Sequence, residues 1–417
     1  MIRPALFLLA AGIALIGLAR PATAQDERVE PQIQPALEVS LLTIGPGEIY
    51  WQRFGHNAIV IHDPASGETV SYNYGMFDFE EDDFFVNFVR GRMTYQITAE
   101  NPDDEIAYYA SEGRSVTRQD LHFSAFQADA LKSYLDTNLL PENRHYRYDY
   151  FTSNCSTRVR DALDSVLGGA LKRQMTSPSR GYSYRLMADS LTAPDPLLMG
   201  VIDIGLGPFA DQRLSYWKDS FVPMQLMAHL REMKIKDTDG AEQPLVKSEQ
   251  ALAKARLPAP PALPPDLRWP FFGIGLGFAA LMLWLSSQRE SVIARRSFSV
   301  LAVALSLICG LVGLILVGLW GFTEHQSAWR NENLLIFSPL CLLLLPTWWR
   351  AARQTPKTSR FASSIAAIIA VLAAFGLFSK ILSSFPQANL PWILLLLPTH
   401  LVLANLAARW RGNKASA

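Results

Sequence analysis

The sequence predicts an exported α+β domain followed by an all-α bundle of five membrane spans. Three observations lead there. Residues 1–24 have the layout of a secretory signal, strand and helix patterns fill 37–235, and long apolar runs crowd everything after 269. The 49% hydrophobic content therefore averages two unlike parts. Charge is balanced, with 38 basic and 38 acidic residues, so nothing points to a nucleic-acid partner.

In chain order, Arg3 supplies the positive start, Ala5 to Ala19 the apolar core, and Ala22-Thr23-Ala24 a cleavage site before Gln25. No cysteine follows that site, so the chain is not itself patterned as a lipoprotein. Residues 37–44 and 49–62 read as strands, and Asp63 to Gly67 turns the chain into a partner strand from Thr69 to Gly75. Alternation puts His56, Ala58, Val60 and His62 on one face. An acidic, aromatic stretch leads to a strand at Met93 to Ile97. A helix over Glu105 to Gly113, an extended segment over 115–123 and a helix over 124–140 follow. After an aromatic run from Tyr146, Ser153 and Asn154 are good helix caps. From Cys155, Val159, Ala162, Leu163 and Val166 recur at helical spacing, up to Gly168-Gly169. The folded part is bounded at 235, with a linker over 236–268 that is proline-rich from 254.

Beyond the linker, apolar runs at 269–287, 298–320, 334–349, 361–382 and 389–408 approach the length a bilayer needs, the third being shortest. Residues 409–417 form a basic tail. Arginines and lysines gather in loops 288–297 and 350–360 and in the tail, whereas loops 321–333 and 383–388 hold only Arg330. The positive-inside rule then sets the amino-terminal domain outside and the carboxyl terminus inside. Lys380 sits near an outer span end, where snorkelling accounts for it.

The exported part contains one of the three cysteines, Cys155, because Cys309 and Cys341 fall in spans. A disulfide framework there is excluded. Such a thiol is either a small buried residue or a nucleophile. Its place in the first helical turn favours the thiolate, through backbone N–H groups and the helix dipole. A thiol nucleophile needs a base. Of His56, His62, His122, His145 and His229, His145 is too local and His122 lacks a turn context. His56 follows Gly55 at a strand start, where another backbone can approach closely. No Cys/His cluster suggests a metal, and no cofactor is expected.

A strand histidine followed about a hundred residues later by a helix-start cysteine resembles the circularly permuted, NlpC-type branch of the papain-like folds. A closer resemblance rests on Phe54-Gly55-His56, YNYG at 72–75, FVRG at 88–91, Tyr95, YDYFTSNCSTRVRD at 148–161 and NENLLIFSP at 331–339. These look like the Lnb-type lipoprotein N-acyltransferases, with a periplasmic thiol domain and a multi-span membrane domain. The resemblance implies a multi-pass protein of the bacterial inner membrane. Cys155 would attack a phospholipid acyl ester and hold the chain as a thioester, and His56 would move the protons. The acceptor would be the amine of a lipoprotein's lipidated N-terminal cysteine. Helix-start N–H groups, with Asn154 or Tyr150, would support the oxyanion.

A hairpin turning near Ala65-Ser66 brings Asn73 beside His56, making Asn73 the candidate to orient the imidazole. His62 lies too far along its strand, at roughly 20 Å. Loop 321–333, on the same side as the thiol, either adds His325 and Asn331 to the site or only connects spans. Two other functions compete. One is a periplasmic cysteine peptidase or amidase on cell-wall peptide, for which one anchor would suffice. The other is a non-catalytic envelope sensor or scaffold, which leaves the thiol and histidine unexplained.

Overall fold

Strands β1 (Glu38–Ile44) and β2 (His56–His62) are so continuously apolar because both of their faces are covered. They lie in the middle of a seven-stranded sheet with β3 (Thr69–Phe77), β4 (Thr94–Glu100), β5 (Val116–Leu121), β6 (His145–Arg147) and β9 (Val246–Ala253). The order is β6-β4-β3-β2-β1-β5-β9, every neighbour antiparallel. Between them in sequence, β7 (Lys234–Lys236) and β8 (Glu242–Pro244) form a separate two-stranded ribbon. This computed structural model describes residues 36–78, 83–237 and 240–412, so the signal-type segment 1–24 lies outside the described residues.

The helices sort by face. Leu41, Ile59, Ile61, Tyr72 and Tyr74 pack on α3 (Ala125–Leu139) and α4 (Cys155–Val166). Leu42, Ile44, Ala58 and Val60 pack on α2 (Pro102–Ser111) through Ile106 and Tyr109. A short helix, α1 (Phe84–Arg90), occupies the acidic, aromatic stretch. After α4 come α5 (Ala170–Gln174), α6 (Tyr184–Thr192), α7 (Pro196–Gly205), α8 (Tyr216–Asp219) and α9 (Pro223–Leu230). Phe151, Tyr184 and Phe221 centre a further core among them.

The expected linker is shorter than 236–268. Strand β9 pairs along β5 as the sheet's edge, so the fold continues to Ala253 and only 254–267 are extended. The second part holds four helices long and apolar enough to cross a membrane. They are α10 (Arg268–Ser287), α11 (Val292–Phe322), α13 (Arg360–Phe378) and α14 (Leu390–Gly412). The expected run at 334–349 is a broken segment, bent by 43° between Gln326–Leu335 and Pro339–Arg350 and including α12 (Leu345–Arg350). Counted as one span it brings the total to five. Pro339 lacks the N–H a continuing helix would need.

Residues from Ala36 onward form one unit, joined by a buried polar seam. Asn331 Nδ2 donates to the carbonyls of Ile204 (2.8 Å) and Leu206 (3.2 Å), and Gln387 Nε2 to Leu206 O (3.0 Å). Trp392 Nε1 donates to Asp203 (2.7 Å). Lys380 does not simply snorkel: its Nζ pairs with buried Glu332 at 2.5 Å and reaches Gln387 O at 2.9 Å.

Candidate active site

The Asn154 side chain accepts from Thr157 N (2.9 Å) while Thr157 Oγ1 accepts from Asn154 N (2.8 Å), a complete capping box that starts α4 at Cys155. Asn154 Nδ2 also donates to Tyr150 O (3.1 Å) and Phe221 O (2.9 Å). Its side chain is thus fully engaged, as support for the loop and not as an oxyanion donor. Gly75 makes room for the cysteine. With φ at +91°, it would place a Cβ 3.2 Å from Cys155 Cβ, so both conformation and space call for glycine. Ser156 Oγ donates to Ser220 O (2.6 Å) and lies 2.9 Å from Asn57 Oδ1, tying the first turn of α4 to β2.

His56 opens β2, directly after Gly55, and lies close enough to the half-buried Cys155 thiol for each to shift the other's titration. Its Nε2 lies 2.8 Å from Asn73 Oδ1. The β2–β3 register pairs Ala58 with Asn73, so this bond runs diagonally between strands. An amide oxygen only accepts, so Nε2 carries the proton and Nδ1 is left for the sulfur. Asn73 is itself oriented: its Nδ2 donates to Glu105 Oε2 (3.3 Å) and Ser71 Oγ (3.2 Å). Ser71 Oγ in turn donates to Glu105 Oε2 at 2.6 Å. Glu105, buried in the first turn of α2, is the residue that sequence reasoning missed.

The electrostatics follow. Burial pushes the Cys155 thiol up, but the His56 charge and hydrogen bond, with the N–H groups of Asn57 and Ser156, bring it below its ordinary value. For His56, burial pushes down. The thiolate's charge and hydrogen bond, the Glu105 charge and the Asn73 bond overcome it and raise the imidazole to about 9. Both shifts favour the charged forms, thiolate and imidazolium.

The remaining expected residues divide. Tyr150 lies at the rim, its ring 6.0 Å from Tyr148 and stacked 6.0 Å from His325. His325 thus reaches the rim from the loop after α11, and burial lowers its pKa. Asn331 does not join it, since its amide is spent on the carbonyls of α7. Among the other histidines, His62 bonds Thr69, His122 bonds Pro244 O, His145 pairs with Asp78, and buried His229 pairs with Asp219. No group of three or more potential metal ligands occurs among the described residues.

Comparison with known families gives two matches. The model for the Lnb N-terminal periplasmic domain matches residues 27–189, and that for the Lnb transmembrane domain matches 270–409. No curated protein and no solved structure matches the chain. The first match spans His56, Asn73, Glu105 and Cys155, and the second spans the whole helical bundle. With both domains present in that order, the chain belongs to the Lnb family, as a membrane protein with a periplasmic N-terminal domain.

Proposed function

We propose that this protein is a thiol acyltransferase that moves an acyl chain from a phospholipid, through a Cys155 thioester, to the N-terminal amine of a lipoprotein. The observation that carries the reading is the proximity of the Cys155 thiol at the start of α4 to the His56 imidazole at the start of β2, in a domain joined to a membrane bundle. The order of histidine before cysteine, with α4 packed on an antiparallel sheet, supports a permuted papain-like arrangement.

In the first half-reaction Cys155 Sγ attacks the ester carbonyl, and the carbon–oxygen bond to glycerol breaks. His56 gives its Nδ1 proton to the departing alkoxide, which leaves as lysophospholipid. In the second, the acceptor amine attacks the thioester and passes a proton to His56, and the sulfur leaves as thiolate. The Ser156 N–H, which faces the sulfur, would donate to the oxyanion in both steps. Asn73 keeps Nε2 protonated so that Nδ1 faces the thiol, and Glu105 fixes the Asn73 amide.

The test is Cys155→Ser in phospholipid vesicles with a diacylated lipopeptide acceptor. Mass spectrometry is expected to find N-acylated lipopeptide with the native chain and none with the variant. Unchanged N-acylation would sink the thioester route. Cleavage of a peptidoglycan fragment without lipopeptide product would replace the reading with a cysteine peptidase.

A further inference from the structure

Helix α1 has an exposed apolar face, with Phe85 77%, Val86 44% and Val89 66% accessible. Its far end is fastened to the end of a membrane span. Glu324 N donates to Arg90 O (2.8 Å), and the Glu324 carboxylate takes Arg92 and Arg147 at 2.7 Å each. Gly91, at φ +71°, permits this contact, because a Cβ there would lie 2.8 Å from His325 N. Glu324 stands two residues beyond the end of α11, whose Phe322 is 83% exposed. The bare face of α1 thus lies on a helix whose end is held at the end of a span. The exposed Arg90 beside it offers a cation at headgroup level.

From that face an unbroken series of rings leads inward. Phe85 meets Phe84 at 5.4 Å, Phe84 meets Phe77 at 6.2 Å, and Phe77 meets Tyr95 at 4.7 Å. Tyr95 stacks on Tyr148 at 4.0 Å, and Tyr148 enters the tight loop, closed by the Asp149–Ser153 bridge, that delivers Cys155. We infer that α1 docks a phospholipid of the periplasmic leaflet and that this ring series guides its acyl chain from Phe85 to Cys155. The inference rests on the acyl-transfer reading for its purpose, but lipid capture is measurable without turnover. An acyl chain suits the route because rings supply apolar contact over a long path without specific hydrogen bonds.

The experiment places p-benzoylphenylalanine at Phe85, in full-length protein carrying Cys155→Ser, in phosphatidylethanolamine and phosphatidylglycerol vesicles. Phe126 on α3, 82% exposed, is the control. Irradiation is expected to give phospholipid adducts at position 85 in at least about tenfold excess over position 126, since the inference sets only the first against the bilayer. Equal yields, or protein–protein adducts at 85 without lipid, overturn the inference. In otherwise native protein, Phe85→Asp is expected to slow acyl transfer from vesicle phospholipid by about tenfold or more, because a charge replaces apolar contact. An unchanged rate overturns it too. Adducts at 85 in a protein that proves to transfer no acyl group leave the docking surface standing and remove only the reaction proposed above.

Discussion

Replacing His56 with alanine tests the ion pair on which the chemistry depends. His56 is raised from 6.5 to about 9. At about 1.4 kcal/mol per unit, that rise corresponds to roughly 3 kcal/mol of coupling between imidazolium and its surroundings, the thiolate foremost among the stabilising groups. Coupling between two groups is reciprocal, so the thiolate loses the His56–Cys155 part of it when the imidazole goes. Burial then pushes the thiol above its ordinary value of 9.0. At pH 6 about one thiol in a thousand would be ionised, or fewer. In the native site the thiol's titration is depressed, so thiolate is held to lower pH than in the variant. Alkylation of Cys155 by iodoacetamide at pH 6 is therefore expected to slow by roughly 10²- to 10³-fold in His56→Ala. Cys309 and Cys341 are buried, and Cys155→Ser supplies the background. Two results would refute the reasoning: an unchanged rate in the variant, or a native rate that already falls tenfold for each unit below pH 9.

Two further perturbations follow from the surroundings of the pair. Glu105→Gln keeps the size of the buried group but removes a charge that raises the imidazole. The imidazolium is lost as pH rises through its folded value, so the alkaline limb of acyl transfer is expected to move down by about half a unit to one unit. A pH profile of kcat, with KM unchanged, checks this. Lys380→Met leaves the Glu332 charge buried and without its partner. A loss of about 3–5 kcal/mol is expected, with much of it restored in Lys380→Met/Glu332→Leu. Thermal unfolding in detergent separates the two variants, and equal midpoints for Lys380→Met and the native protein would remove the pair from the account.

What the sequence revealed about the site was local in sequence. Ser153 and Asn154 announce the start of α4 beside Cys155, and the short hairpin places Asn73 beside His56 by counting. Glu105 gives no such signal. An acid beside Asp103 and Asp104 in a first turn reads as a complement to the helix dipole, and only packing brings it beneath Asn73. Strand β9 was read as linker because an edge strand buries little: its sequence, VKSEQALA, has no alternating apolar face. Helix α1 is seven residues long, and its role depends on contact with a loop more than two hundred residues later. Asn331 drew attention through its motif, yet the function of its amide is to hold α7.

The two ties between the domains differ in strength, and the difference bears on catalysis. Glu324 bridges Arg92 and Arg147 with all three side chains about half exposed, where ion pairs contribute little. The seam at α7 is buried and charge-assisted. Arg185 Nη1 reaches Asp203 at 2.6 Å, its Nε reaches Asp211 at 2.9 Å, and its Nη2 donates to Leu206 O at 2.8 Å. Burial and the Asp203 charge raise neighbouring Asp189 to about 8, so at neutral pH it keeps its proton and adds no third negative charge. Leu206 O also takes the amides of Asn331 and Gln387, which joins the arginine cluster directly to the bundle. The seam therefore fixes the sheet domain on the bundle, while the weaker, exposed clasp holds the end of α1 and sets His325 beside Tyr150. In the proposed reaction, holding the thiol at a fixed height would restrict where an acyl ester must present itself, and that restriction would lower the entropic cost of bringing two lipid-anchored reactants together.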